Sequence, residues 1–104
     1  MSEREYAPDK WVIVEIKNKD GDTHRRVLGS WYGGFTQGDS WRMSSGIVDI
    51  IDDGDCYNVV NESGSIYYCV KGCEGMSAYS MGVLANYQEE MKEHGGTIEE
   101  IGRA

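Results

Sequence analysis

Apolar and polar residues alternate along three stretches of the chain, and each stretch is interrupted by a glycine. They are "WVIVEIKNKDGDTHRRVL" from Trp11, "GIVDIIDDGDCYNVV" from Gly46 and "CYNVVNESGSIYYCV" from Cys56. Alternation with a period of two marks strands, and Asp20-Gly21, Asp53-Gly54 and Ser63-Gly64 mark the turns between them. If each pair forms a two-residue primed turn, both central residues take positive φ and the register follows. Val14 then faces Val27 and Val12 faces Gly29, a residue small enough to admit a neighbour such as a ring. Ile50 faces Tyr57, Val48 faces Val59, and Val59 faces Tyr68. One sheet face then collects Val48, Ile50, Tyr57, Val59, Ile66, Tyr68 and Val70. The opposite face carries Ile47, Asp49, Ile51, Cys56, Asn58, Val60, Tyr67 and Cys69. It is too apolar to stand fully in water, so the first hairpin, the C-terminal tail or a second copy is expected to cover it.

The period changes after Met76. Ser80, Val83, Leu84, Tyr87 and Met91 recur at helical spacing, Ser77 is a natural N-cap and Gly95 a natural stop. The spacing predicts a helix over 77–94 with Asn86, Glu89, Glu90 and Glu93 on its polar side. Gly82 costs that helix about 1 kcal/mol relative to Ala. Strands are predicted over 11–17, 24–31, 40–51, 56–61 and 65–71, and "TIEEIG" offers a short final one. The expected architecture is a single α+β domain. Its mainly antiparallel sheet of about five strands has one C-terminal helix packed on a face, after a flexible tail over 1–9.

Charge narrows the function. The chain carries a net charge of -8. Residues 1–44 hold seven Lys/Arg against seven Asp/Glu, whereas residues 45–104 hold three against eleven. Phosphate backbones are bound by clustered Lys and Arg. Direct nucleic-acid binding is therefore not expected, and a cationic protein partner is compatible with the acidic half. No apolar run approaches membrane-spanning length, and the charged opening "MSEREYAPDK" is unlike an apolar leader, so no membrane association and a cytoplasmic location are expected. Cys56, Cys69 and Cys73 fit reduced thiols in that setting.

The stretch "GSWYGGFTQGDSW", Gly29 to Trp41, holds four glycines and the aromatics Trp31, Tyr32, Phe35 and Trp41. Its Gly33-x-x-x-x-Gly38-Asp39-Ser40 is close to a phosphate-binding loop, but Asp39 stands where that loop needs a phosphate-gripping Lys. The following "SWRMSSGIVDI" reads as a strand, where the motif needs a helix. Both requirements fail, and a nucleotide site is rejected. The four aromatics then have three uses: a plug for one end of the core, an anchor for a protein interface, or a stacking pocket for a small ligand. Trp31, Tyr32, Phe35 and Trp41 are the candidate binding residues.

Other chemistry is weakly marked. Cys69 and Cys73 form C-x3-C, but a structural zinc needs four ligands, and His24 and His94 are distant in sequence. "DIIDDGD" lacks the residue order and closing Glu of an EF-hand loop. No nucleophile–base pair is marked by spacing, so neither catalytic residues nor a cofactor or metal are assigned. The segments "GSWYGGFTQGDSWRMSSGI", "SGSIYYC" and "GMSAYSMGVL" resemble short uncharacterised proteins of bacterial accessory genomes and phages, across roughly 27–85. The resemblance implies origin on mobile DNA and supplies no functional residues. Together these features lead to a small acidic interaction protein, an inhibitor or adaptor from a mobile genetic element. A small-ligand-binding module using loop 29–41 is the alternative, and self-association through the second sheet face is a separate expectation.

Overall fold

The computed structural model describes residues 5–33 and 40–101. In chain order the elements are β1 (Glu5–Tyr6), β2 (Lys10–Lys17), β3 (Thr23–Trp31), β4 (Ser40–Met43), β5 (Ile47–Asp53), β6 (Cys56–Asn61), β7 (Ile66–Val70), a 3-10 turn (Lys71–Cys73), α1 (Ala78–Glu93) and β8 (Thr97–Ile101). The α+β class and the mainly antiparallel pairing expected from the sequence hold. The strands divide into two four-stranded sheets, β1-β7-β6-β5 and β4-β3-β2-β8. Among the described strands only the two-residue β1 pairs with its neighbour in parallel, and an isolated parallel bridge joins Trp11 to Glu74.

Three layers result. Trp11, Ile13 and Val27 of the second sheet meet Val59, Tyr67 and Cys69 of the first in one core. Val12, Val14 and Leu28, on the other side of the second sheet, meet Leu84 of α1 and Ile98 of β8 in another. Strand β2 therefore has both faces covered, which is why Trp11–Val14 reads as an unbroken apolar run.

The helix forms where the spacing placed it. Ser77 Oγ accepts a hydrogen bond from Ser80 N at 3.1 Å. At the other end Gly95 takes φ +82°. Gly95 N donates to Lys92 O and Gly96 N to Met91 O, a Schellman closure. The Leu84–Tyr87–Met91 stripe packs on β2, β3 and β8, not on the β5–β6–β7 hairpins expected to receive it.

Hairpin register is the main correction. No described non-glycine residue has positive φ, so primed turns with Asp20 or Ser63 in that region do not form. Instead Asn18 N donates to Asp22 O and Gly21 N to Asn18 O. Asn61 N donates to Ser65 O and Gly64 N to Asn61 O in the same way. Each loop has three residues, with the glycine last, at φ +92° or +89°. The pairing slips by one residue relative to expectation. Val12 faces Leu28, Ile13 faces Val27 and Val14 faces Arg26. Val59 faces Tyr67 and Tyr57 faces Cys69. A one-residue slip moves every side chain to the other face. Tyr67 and Cys69 turn inward, and Ile66, Tyr68 and Val70 turn outward.

At Asp53-Gly54 the glycine opens a two-residue loop, Gly54-Asp55, and Ile50 faces Val59. That shift is by two, so Ile50, Tyr57 and Val59 keep their shared face. An irregularity between Ile47 and Asp49 throws Val48 outward, where it is 59% exposed.

The expected strand 40–51 is two strands on different sheets, because Ser44, Ser45 and Gly46 carry the chain across. Ser44 Oγ accepts from Val27 N at 2.9 Å and donates to Ser45 O at 2.7 Å. The segment 5–9, expected within a flexible tail, is packed. Tyr6 pairs with Tyr67, and Pro8 is buried. A Cβ on Gly29 would lie 3.0 Å from Pro8 Cβ and 3.6 Å from Trp31 Cη2, so the space Gly29 leaves is taken mainly by the proline.

Two close fits tie the layers together. Trp11, fully buried, donates from Nε1 to Val70 O at 2.6 Å. A Cβ on Gly96 would meet Lys17 O at 2.6 Å and Met91 Cε at 2.8 Å. Trp11→Ala should lower the unfolding free energy by about 3–5 kcal/mol. Gly96→Ala should lower it by about 1–3 kcal/mol. Urea titration followed by circular dichroism measures both, and changes under about 0.5 kcal/mol would contradict this packing.

Candidate functional site

Strand period separates the four candidate aromatics. Trp31 pairs with Ser40 and Trp41 with Ser30, so the two tryptophans leave opposite faces of the second sheet. Trp31 packs beside the inter-sheet core. Its Nε1 donates to Ala7 O at 3.1 Å, and its ring lies edge-on to Tyr6 with centroids 6.3 Å apart. It is partly buried against that core. Tyr32 is 55% exposed, and its backbone N donates to Asp9 Oδ2 at 2.8 Å. Phe35 lies outside the described residues. A shallow groove at the β4 edge touches Trp31, Trp41, Tyr6, Ser40 and Arg42.

Trp41 instead joins the helix. Its ring stands nearly perpendicular to Tyr87, at 85° with centroids 5.7 Å apart. A cavity of about 370 Å³ opens beside this pair, lined by Trp41, Tyr79, Val83, Asn86, Tyr87 and Glu90. Helical spacing places Tyr79, Val83, Asn86, Tyr87 and Glu90 on adjoining turns of one face. Tyr79 is 43% exposed. The sequence showed Tyr87 as a core residue and Glu90 as part of a polar face. Their meeting with Trp41 depends on how α1 lies across the end of β4, which no local pattern encodes.

Three rings and one carboxylate make a wall suited to a cation. An ammonium or guanidinium group over an aromatic face is attracted by the ring quadrupole, by roughly 0.5–2 kcal/mol depending on desolvation. A nearby carboxylate adds a charge-assisted hydrogen bond. Glu89 and Glu93, both exposed, lie on the same helix.

A second polar cluster lies between the sheets. A cavity of about 110 Å³ is lined by Tyr6, Arg42, Met43, Ser44, Ser45, Ser63, Ser65 and Tyr67. Arg42 sits over the Tyr6 ring, 4.7 Å from its centroid. Burial pushes the Tyr67 hydroxyl from 10.0 up to about 12, against the lowering effect of Arg42.

Other sequence candidates stay apart. His24 and His94 are both exposed, and His94 caps α1. Ser40–Met43, following the phosphate-loop-like stretch, is a strand. Among the described residues no group of three or more His, Cys, Asp or Glu is placed to hold a metal ion. No described helix is long and apolar enough to cross a membrane. The outer face of the first sheet presents Ile51 at 48% and Val70 at 39% exposure. Comparison with protein-family models, with curated proteins and with solved structures gives no match.

The three cysteines are free thiols. Burial, aided by nearby Cys56, pushes Cys69 from 9.0 up to about 12. Cys69 should react with iodoacetamide far more slowly than half-buried Cys56 and Cys73, as mass spectrometry of peptides will show. Cys69 and Tyr67 both hold their protons more tightly folded than unfolded. Their contribution to stability is complete below their unfolded values of 9.0 and 10.0 and is lost as pH rises towards about 12. Unfolding free energy should therefore fall above pH 9, and Cys69→Val should flatten that decline.

Proposed function

We propose that this protein is a small acidic interaction module, an inhibitor or adaptor, that captures a cationic segment of a protein partner. One observation carries the reading. Trp41, Tyr79 and Tyr87 surround a cavity into which Glu90 brings a carboxylate, on a chain of net charge -8. Aromatic walls supply contact area at small entropic cost, and the surrounding glutamates steer a basic partner towards it. A mobile-element origin, implied by the sequence resemblance, agrees with a protein that acts by occupying another.

The alternative is a small-ligand module. The 370 Å³ cavity falls in the range of small-molecule sites, and its ligand class is a free organic cation such as an alkylammonium. In either case the binding residue retained from the aromatic loop is Trp41, and the others come from the helix. Self-association is a separate proposal, supported by exposed Ile51 and Val70 on the first sheet's outer face. A single-chain mass by light scattering across micromolar concentrations rejects it.

Titration of a fluorescent Lys/Arg-rich peptide tests the main reading. Trp41→Leu and Glu90→Gln should each weaken binding about tenfold, checked against folding by circular dichroism, while Asp53→Asn changes it little. Affinity should also fall as salt rises from about 0.05 to 0.5 M. Equal losses from Glu90→Gln and Asp53→Asn, with none from Trp41→Leu, would reduce the effect to bulk charge. Saturable binding of tetramethylammonium without peptide binding would favour the alternative.

A further inference from the structure

The inter-sheet cavity collects hydrogen-bond donors whose arrangement follows from the serine loop. Ser63 N donates to Ser45 Oγ at 3.1 Å. Ser45 Oγ donates to Ser63 Oγ at 3.1 Å, and Ser63 Oγ donates to Ser65 Oγ at 3.2 Å. Asn61 Nδ2 also donates to Ser65 Oγ, at 3.1 Å. The orientation of that amide is fixed by its surroundings. The same nitrogen lies 3.3 Å from Val59 O and 3.2 Å from Ser65 O, two carbonyls that would repel an amide oxygen. Ser65 Oγ thus accepts twice, which uses both its lone pairs. What it retains is its proton, on a side chain only 4% exposed that lines the cavity. Successive hydroxyls in such a chain polarise one another, so the terminal proton is a strengthened donor.

Two more donors line the same space. Tyr67, a residue 1% exposed, lines it, and burial pushes its hydroxyl up to about 12. Arg42 brings a guanidinium fork, held over the Tyr6 ring, and no carboxylate among the described residues forms an ion pair with it. Among the described residues no Asp or Glu lines the cavity. A planar cation and two buried hydroxyl-bearing residues that line one cavity, with no ion pair to the cation among the described residues, form a site for an acceptor with negative charge. The volume of 110 Å³ corresponds to about three or four water molecules, enough for one small ionic group and too little for a nucleotide.

We propose that Arg42, Ser65 and Tyr67 form a binding site for a small oxyanion, either a tetrahedral phosphate or a planar carboxylate, at the junction of the two sheets. The site is separate from the cation-binding cavity at Trp41, because Arg42 and Trp41 are successive residues of a strand and point to opposite faces. The Glu62 carboxylate packs against Gly46, where an added Cβ would lie 2.8 Å from Oε2, next to the lining residues Ser45 and Ser63, whereas charges more than roughly 8 Å away are largely screened at about 0.15 M salt.

The test is a titration of ¹⁵N-labelled protein with sodium phosphate, and separately sodium acetate, at constant ionic strength balanced by sodium chloride. Saturable shifts of the Ser44, Ser45, Ser63 and Ser65 amides are expected with one of the two anions and not with chloride. Arg42→Gln should weaken that binding about tenfold or more, and Ser65→Ala should weaken it several-fold. Arg42→Lys should recover part of it, because charge is restored without the fork. Phosphate stronger than acetate assigns a tetrahedral ligand, and the reverse assigns a carboxylate. No saturable shift up to about 50 mM of either, or equal affinity in wild type and Arg42→Gln with the spectrum otherwise native, overturns the proposal.

Discussion

The structure depends on one strand having no face left for water. Trp11, Val12, Ile13 and Val14 are all at most 1% exposed. Odd positions face the first sheet and even positions face the helix. Both cores are therefore built on the same four residues, and neither layer can leave without exposing half of that strand. Trp11 adds directionality to this burial. Its Nε1 reaches Val70 O on the other sheet, its ring meets Tyr57 edge-on at 6.1 Å, and its carbonyl accepts from Gly75 N at 2.8 Å. A non-directional hydrophobic contact is turned into one fixed docking of sheet on sheet.

The same period of two explains how one short strand serves two different chemistries. Trp41 and Arg42 are adjacent in β4. Trp41 contributes to an aromatic, acid-lined cavity against α1, and Arg42 contributes to a hydroxyl-lined cavity between the sheets. Opposite electrostatic characters sit back to back across a single layer of backbone. The helix supplies a carboxylate to the first cavity, and the Ser63-Gly64 loop supplies hydroxyls to the second. The acidic second half of the chain is thus placed largely on α1, β8 and β5.

Much of this was legible locally. The helix bounds, the Ser77 cap, the Gly95 stop and the existence of each turn follow from residue chemistry within a few positions. The turn type was not legible, because Asp-Gly and Ser-Gly fit both a two-residue loop and a three-residue loop ending in glycine. The choice between them reverses the faces of a whole strand, so Tyr67 and Cys69 exchanged places with Ile66, Tyr68 and Val70. The break at Ser44–Gly46 was also hidden, since a strand leaving one sheet for another carries the same alternation as a strand that continues. Of the candidate site, Trp41 was visible as an aromatic in a glycine-rich stretch. Tyr79 and Glu90 had no signal beyond helical spacing, and Arg42 and Ser65 had none.

The sequence by itself determined the α+β class, the amphipathic helix and the acidic bias of the second half. These depend on period, capping and composition, which act over a few residues. Tertiary structure alone decided the register, the division into two sheets and the grouping of side chains around each cavity. Those outcomes turn on which of several similar burials excludes the most water at once. That comparison is made between segments far apart in the chain, and the three-layer packing around β2 settles it.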